Sequence, residues 1–218
     1  MEQKILKLIR EELEKLDPEN SQAMDKISRR IYPILPGEND QLIETFDYLV
    51  SRGDWSLFWL VTTWIKKKKV FQLEYIPYYE KWLHNYIKSW GQCDVFCYRV
   101  LNPMVEKYPR LFSKVLEWTE SSGTYVRRAA PVSLLESGRS FRVNYPLEKV
   151  MLVVESLKND PEYHVQKGVG WLLKYAYLSY PEEIYLYLKN NVNDLPRVLF
   201  RYALEKTPRE VREELMKL

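Results

Sequence analysis

Five stretches of similar character recur along the chain, and their spacing constrains the fold more than any other feature of the sequence. Each begins with Gly, Asp or Asn and continues into an apolar helical pattern: GDWSLFWLV, GQCDVFCYRV, GTYVRRAAPV, DPEYHVQKGVGWLL and NDLPRVLFRYAL. Their starts lie about 32 to 38 residues apart, and amphipathic segments such as NDQLIETFDYLV and YPRLFSKVLEWT precede them. This is the period of helical-hairpin repeats. The sequence therefore predicts an α-solenoid, a superhelix of antiparallel helix pairs.

The apolar residues favour an all-α fold along the whole chain. They recur at intervals of three and four, and no stretch keeps the period of two that is typical of strands. We therefore expect no β-strand, and a single repeat domain over residues 1–218. The predicted helices are Gln3–Leu16, Ser21–Tyr32, Asp40–Ser51, Trp55–Lys68, Ile76–Ser89, Gln92–Lys107, Pro109–Thr119, Thr124–Glu136, Leu147–Leu157, Glu162–Leu178, Pro181–Asn190, Leu195–Glu205 and Pro208–Met216.

Composition excludes few functions, but it indicates the cellular environment in which the protein works. The chain carries 33 Lys and Arg against 30 Asp and Glu, and a net charge of +3 is too small to indicate a polyanionic partner by itself. The N-terminal segment does not resemble a secretory signal, and the most apolar stretch, SLFWLVTTW, is much shorter than the ~20 residues of a membrane-spanning helix. Cys93 and Cys97 share a helix at a spacing that is awkward for a disulfide. We expect a soluble, cytoplasmic protein with reduced thiols and no membrane partner.

Folding into an array of helix pairs would concentrate positive charge on one face. The second helix of each pair lines a concave face in such an array, so residues near the starts of these helices lie side by side. Six of the ten candidates are Arg, Lys or His and one is acidic, a bias that favours a polyanionic partner. The candidates are Trp55, Asp94, Tyr125, Arg127, Arg128, His164, Lys167, Trp171, Arg197 and Arg201.

Two segments of this face combine polar groups with indoles. Trp90 and Asp94 lie four residues apart and share a helix face, as do His164, Lys167 and Trp171. Between these segments, YVRRAA has two alanines that allow tight packing, while one of its two arginines must point elsewhere. The predicted groove centre holds one carboxylate, at least one guanidinium and two indoles.

The segments SWGQCD, YVRRAA and VQKGVGWLL, in this order, resemble those of the AlkD-type DNA alkylation-repair glycosylases. These are HEAT-like repeat proteins that excise cationic N-alkylated purines. The resemblance runs from about Asp40 to about Lys206. It implies that Asp94 is the catalytic aspartate, that Trp90 and Trp171 are the two groove indoles, and that Arg128 is the essential arginine. Gly91, Cys93 and Tyr125 depart from the family pattern.

The resemblance implies a monofunctional glycosylase, a hydrolase of base excision repair, that acts on 3-methyladenine or 7-methylguanine in duplex DNA. An alkylated purine already carries positive charge and leaves without protonation, so one carboxylate suffices. Asp94 would stabilise the sugar cation and orient water, the indoles would favour the developing charge, and Arg128 would hold a phosphate. No cofactor and no metal are expected, and the protein would act as a monomer, associated with the nucleoid when bound. The further DNA-binding candidates are Tyr125, Arg127, His164, Lys167, Arg197 and Arg201.

Other interpretations remain open from the sequence. A lone Asp in an apolar helix is more often exposed or a cap than catalytic, and indoles at helical spacing are more often core residues. A pair such as Arg127 and Arg128 usually means one solvated arginine and one salt bridge. Arg139 and Arg142 in the loop SGRSFRVNY are candidates for a DNA-backbone contact. The alternatives to a glycosylase are a noncatalytic protein that binds damaged or branched DNA, and a protein-binding HEAT scaffold.

Overall fold

Paired α-helices make up most of the described residues in the computed structural model, which describes residues 1–15, 21–138 and 141–218. The prediction of an all-α helical-repeat solenoid is confirmed. Leu16, the predicted end of the first helix, and Arg139 lie outside the described residues. The described residues divide into two compact units, Met1–Ile87 and Lys88–Leu218. None of the helices in the described ranges has both the length and the apolar character required to cross a membrane.

The first unit stacks two helix pairs and a fifth helix. Helix α1 packs on α2 and α3, and α4 packs on α2 and α3. Asp54 caps α4, since its Oδ1 accepts hydrogen bonds from the backbone N–H groups of Ser56 (2.7 Å) and Leu57 (3.3 Å). Lys69 ends the same helix in the left-handed conformation, at φ 54°. The helices are α1 (Glu2–Leu13), α2 (Ser21–Ile31), α3 (Asn39–Val50), α4 (Trp55–Lys68) and α5 (Ile76–Tyr86).

In the second unit, four helices pack successively side by side: α6 on α9, α9 on α11, and α11 on α13. Helices α8, α10 and α12 pack against this layer as the first members of their pairs. The elements are α6 (Trp90–Phe96), a π-helical turn (Cys97–Leu101), α7 (Asn102–Lys107), α8 (Phe112–Thr119), α9 (Thr124–Val132), β1 (Glu136–Ser137), β2 (Phe141–Arg142), α10 (Leu147–Leu157), α11 (Tyr163–Ser179), α12 (Pro181–Asn190), α13 (Arg197–Ala203) and α14 (Arg209–Leu215). Short 3₁₀ turns cover Tyr32–Ile34, Leu73–Tyr75, Pro109–Leu111 and Leu204–Lys206.

A ladder of side-chain hydrogen bonds fixes α6 and α7 against α9. The thiols of Cys93 and Cys97 approach the backbone carbonyls of Tyr125 (3.3 Å) and Ala129 (3.8 Å), and the amide of Asn102 donates to the carbonyl of Ser133 (3.1 Å). The acceptors are evenly spaced by four residues, whereas the donors are spaced by four and then five. The π-helical turn supplies the extra residue, so the two helix faces stay in register.

The expectation that the protein contains no β-strand is wrong. Glu136 pairs with Arg142, and Ser137 pairs with Phe141, in a small antiparallel hairpin between α9 and α10. The predicted helix Thr124–Glu136 ends at Val132, ahead of strand β1. Pro131 lies inside its last turn, and the N–H of Ser133 still donates to the carbonyl of Ala129 (2.8 Å). Strands of two residues are too short to show a period of two in the sequence.

Several predicted helices match the structure and others do not. The bounds Trp55–Lys68, Leu147–Leu157 and Pro181–Asn190 are confirmed. The predicted helix Ile76–Ser89 ends early because Ser89 is in the extended conformation and caps α6, accepting a hydrogen bond from the backbone N–H of Gln92 (3.3 Å).

Candidate active site

A buried ion pair between Asp94 and Arg128 joins α6 to α9 in the second unit. The Nε of Arg128 donates to Oδ1 of Asp94 and its Nη2 donates to Oδ2, both at 2.9 Å. The side chains of Arg128 and Asp94 are 6% and 10% exposed. This is a bidentate pair between planar groups, the strongest geometry available to an arginine and a carboxylate. Asp94 is therefore neither an exposed residue nor a helix cap.

Helix α11 completes the environment of Arg128. Its Nη1 donates to the backbone carbonyl of His164. One turn later, a Cβ placed on Gly168 would lie 3.3 Å from Cγ of Pro131, 3.4 Å from Cγ of Arg128 and 3.5 Å from its Nη1. Glycine at this position thus allows α11 to approach the guanidinium. The arginine spans α6, α9 and α11 and holds the carboxylate in one orientation.

The charges of this pair influence each other. Burial raises the pKa of Asp94 above its ordinary value, while the hydrogen bonds and positive charge of Arg128 act in the opposite direction. Burial disfavours the charged form of Arg128, yet the bonds to Asp94 raise its pKa. Because an arginine stays protonated in proteins, it favours the ionised carboxylate. Asp94 is a carboxylate anion that Arg128 holds in one orientation, with little exposure to solvent.

Arg127 has a different partner from its neighbour. Its Nε donates to Oδ2 of Asp160 (2.5 Å), and its Nη2 donates to Oδ1 (3.3 Å). Its Nη1 donates to the carbonyls of Ser121 (2.9 Å) and Ser122 (3.1 Å). The side chains of Arg127 and Asp160 are 14% and 5% exposed. Arg127 therefore ties the start of α9 to the segment before α11, and it does not offer a free guanidinium for phosphate. Neither arginine of YVRRAA is solvated.

The two candidate indoles lie on different helices and differ in exposure. Trp90 begins α6 and is 55% exposed, one turn before Asp94. Trp171 lies on α11, three residues after Gly168, and is partly buried. Three and seven residues separate Trp171 from Gly168 and His164, so it shares their face of the helix. Arg128 bonds to the carbonyl of His164, so α11, which carries Trp171, is connected to Arg128 and through it to Asp94.

Two aromatic residues that the sequence interpretation missed lie beside these groups. Tyr98 follows Asp94 by one turn in the π-helical segment, and Phe141 comes from the hairpin. The ring of Phe141 is 6.2 Å from that of Tyr98 and 4.8 Å from that of Trp171, both edge-on. The i,i+4 relation to Asp94 could have indicated Tyr98. Nothing in the sequence pattern could have indicated Phe141, because a hairpin brings it to the site.

The remaining DNA-binding candidates line the same helices. The rings of Tyr125 and His164 lie 6.0 Å apart, and both residues are partly buried. The ammonium group of Lys167 lies 5.0 Å from the ring of Tyr202. Arg197 and Arg201 on α13 are exposed, and Lys167, Arg201 and Tyr202 contribute to a cavity of about 430 Å³. Arg197 and Arg201 provide cations that are exposed to solvent, and Lys167 provides one that is half-buried.

A comparison with protein families gives a match. A family model described as "DNA alkylation repair enzyme" matches residues 20–207. The chain belongs to this family. The matched range contains every candidate residue from Trp90 to Arg201. No curated protein matches the chain. As a member of the DNA alkylation repair enzyme family, the protein has a role in DNA repair and interacts with DNA.

Proposed function

We propose that the protein is a monofunctional DNA glycosylase that hydrolyses the N-glycosidic bond of cationic N-alkylated purines in duplex DNA. The lesions are of the 3-methyladenine and 7-methylguanine type, and the reaction opens base excision repair. One observation carries the proposal: a buried carboxylate, Asp94, lies one turn after the exposed indole of Trp90 and is held by Arg128, which also bonds to α11, the helix of Trp171. Family membership supports the role in DNA repair.

The charge arrangement suits a cationic leaving group. Glycosidases that expel a poor leaving group need a second carboxylic acid to protonate it. The buried carboxylate of Asp160, in the segment before α11, is tied to Arg127 and to the backbone N–H of Glu162 (2.9 Å). One carboxylate is sufficient when the purine already bears positive charge. The site therefore favours alkylated purines over neutral bases.

Asp94 would act on the sugar and on water. A carboxylate accepts about four hydrogen bonds, and Arg128 fills two of these positions. The remaining positions would accept a water molecule and face the oxocarbenium-like sugar. Because the site excludes bulk solvent, the negative charge stabilises the developing cation more strongly than it would in water.

The indoles would contact the deoxyribose of the lesion, and the cations would contact the DNA phosphates. Trp90, with 55% exposure, has an open ring face to receive a deoxyribose, and Trp171 would approach the sugar from α11. Lys167, Arg197 and Arg201 would contact phosphates. Three of the five N–H donors of Arg128 are used within the protein, so its first role would be to orient Asp94, and a phosphate contact would use the other two.

A noncatalytic protein that binds damaged DNA is the second candidate, since the exposed cations would serve it equally well. Such a protein would not need a buried anion beside DNA, because DNA is itself an anion. The oriented Asp94 therefore favours catalysis. A protein-binding scaffold would not need the basic bias of α11 and α13 either.

The direct test is base release. Duplex DNA methylated at purine nitrogens is incubated with the protein, and the released bases are separated and quantified. We expect 3-methyladenine or 7-methylguanine to appear at a rate proportional to enzyme concentration, without added metal or cofactor. Binding to the methylated duplex without any release would support the noncatalytic alternative, and absence of binding would support the scaffold.

A further inference from the structure

The β-hairpin connects the two helical segments that carry the proposed catalytic groups. Strand β1 packs against the π-helical turn that follows Asp94, and β2 packs against α11, which carries Trp171. A loop could connect α9 to α10 without contacting either segment. The contacts on both sides indicate that the hairpin has a role at the site.

Phe141 makes the hairpin's ring contacts. Its ring lies edge-on to Trp171, with 4.8 Å between centroids and 71° between planes, and 5.6 Å from the ring of Tyr175. It also lies 6.2 Å from the ring of Tyr98. Such separations and angles are the favourable ones for aromatic pairs. Among the described residues, the ring that contacts the indole of Trp171 is that of Phe141.

The chain that follows Phe141 is fixed to the end of α11. The hydroxyl of Ser179 donates to the carbonyl of Val143 (3.0 Å), and the hydroxyl of Tyr180 donates to the carbonyl of Tyr145 (2.9 Å). Val143 is buried. The position of Phe141 is thus determined by hydrogen bonds as well as by ring packing.

We infer that Phe141 is a positioning residue of the glycosylase site, which holds the Trp171 indole in the orientation that meets the sugar. Trp171 is partly buried and needs a neighbour on the hairpin side to restrict its rotamers. The edge of the Phe141 ring supplies this restriction. Phe141 does not contact the substrate and acts through Trp171. This inference rests on the proposed glycosylase function.

The test is a double-mutant cycle of single-turnover excision with the parent, Phe141→Leu, Trp171→Ala and the combined variant. Leucine keeps most of the apolar volume and removes the ring. We expect Phe141→Leu to slow excision about two- to tenfold, the range of one aromatic pair. In the Trp171→Ala background the same change should have no further effect, because the indole is absent. Phe141→Tyr, which keeps the ring, should restore the parent rate.

The control is Phe112→Leu, the same substitution on α8, which should leave the rate within about twofold of the parent. Melting temperatures show which variants are folded at the assay temperature, and Phe141→Met replaces Phe141→Leu if the latter is unfolded. An unchanged rate in Phe141→Leu overturns the inference. So does an equal slowing in the parent and Trp171→Ala backgrounds.

A parent protein that releases no base would refute the proposed function and would require a different readout. The cycle is then measured as affinity for duplex DNA that contains an alkylated purine. Coupling between Phe141 and Trp171 in affinity supports the positioning role without catalysis. Additive effects, or absence of DNA binding, overturn it.

Discussion

Replacing Asp94 by Asn removes one negative charge from the buried pair with Arg128 and leaves the size of the side chain unchanged. An oxocarbenium-like transition state needs that charge, whereas the DNA ground state, itself an anion, does not. Excision should therefore fall while affinity for the lesion duplex stays the same or increases slightly. Preorganised electrostatic groups of this kind typically contribute about 100-fold or more to a rate, roughly 3 kcal/mol.

The structure also predicts a loss of stability. In the Asp94→Asn variant, the amide oxygen of the new side chain can accept one bond from Arg128, but its NH₂ group would oppose the second donor. The side chains of Arg128 and Asp94 are only 6% and 10% exposed. In the variant, the guanidinium therefore stays buried but keeps only one of its two hydrogen bonds to the side chain at position 94. Removing one member of a buried pair typically costs about 3–5 kcal/mol, and we expect a value near the lower end because one bond survives. Melting temperature and chemical denaturation measure this term separately from the rate.

The chain offers a matched control in Asp160→Asn. The side chain of Asp160 is also buried, at 5% exposed; it forms the corresponding pair with Arg127 and lies in the segment before α11. We expect a similar loss of stability and an excision rate within a fewfold of the parent. Both variants are assayed in single turnover well below their melting temperatures, together with their affinities for lesion duplex.

Two outcomes would contradict the reasoning. If Asp94→Asn releases methylated bases as fast as the parent, Asp94 is a structural residue and the proposed mechanism is wrong. If Asp160→Asn slows excision as much as Asp94→Asn does, the loss reflects destabilisation of the helix layer and not the charge of Asp94.

Three further predictions follow from the geometry. Because burial raises the pKa of Asp94, the excision rate should decline on acidification at a higher pH than an ordinary aspartate would give, and a pH–rate profile of Asp94→Asn should lack this decline. Gly168→Ala should slow excision by up to about tenfold, because the added methyl group would crowd the guanidinium of Arg128. The control is Gly91→Ala, which should leave the rate unchanged because its added Cβ would have no neighbour within 4 Å. In salt titrations of DNA binding, Arg201→Ala should reduce the log–log slope by about 0.9, the effect of one phosphate contact, and Arg127→Ala should leave the slope unchanged.

The local pattern of the sequence was sufficient for the positions of most helices and for their arrangement in pairs, although several helix ends differ. Intervals of three and four between apolar residues follow from helix geometry, and a repeat of about 32 to 38 residues follows from the length of one helix pair. The same pattern predicted a shared face for Trp90 and Asp94, and another for His164 and Trp171. These relations lie within one helix, so neighbours in sequence determine them.

Tertiary structure decided which groups become partners. The sequence pattern does not distinguish Arg127 from Arg128, yet successive residues on a helix point about 100° apart, so one meets Asp160 and the other meets Asp94. The separation of each pair, 33 and 34 residues, is one repeat, and contacts at this distance depend on how the helices stack. Phe141 shows the same limit more strongly. Two-residue strands carry no detectable pattern, and only the folding of the hairpin between α9 and α10 brings that ring to Trp171.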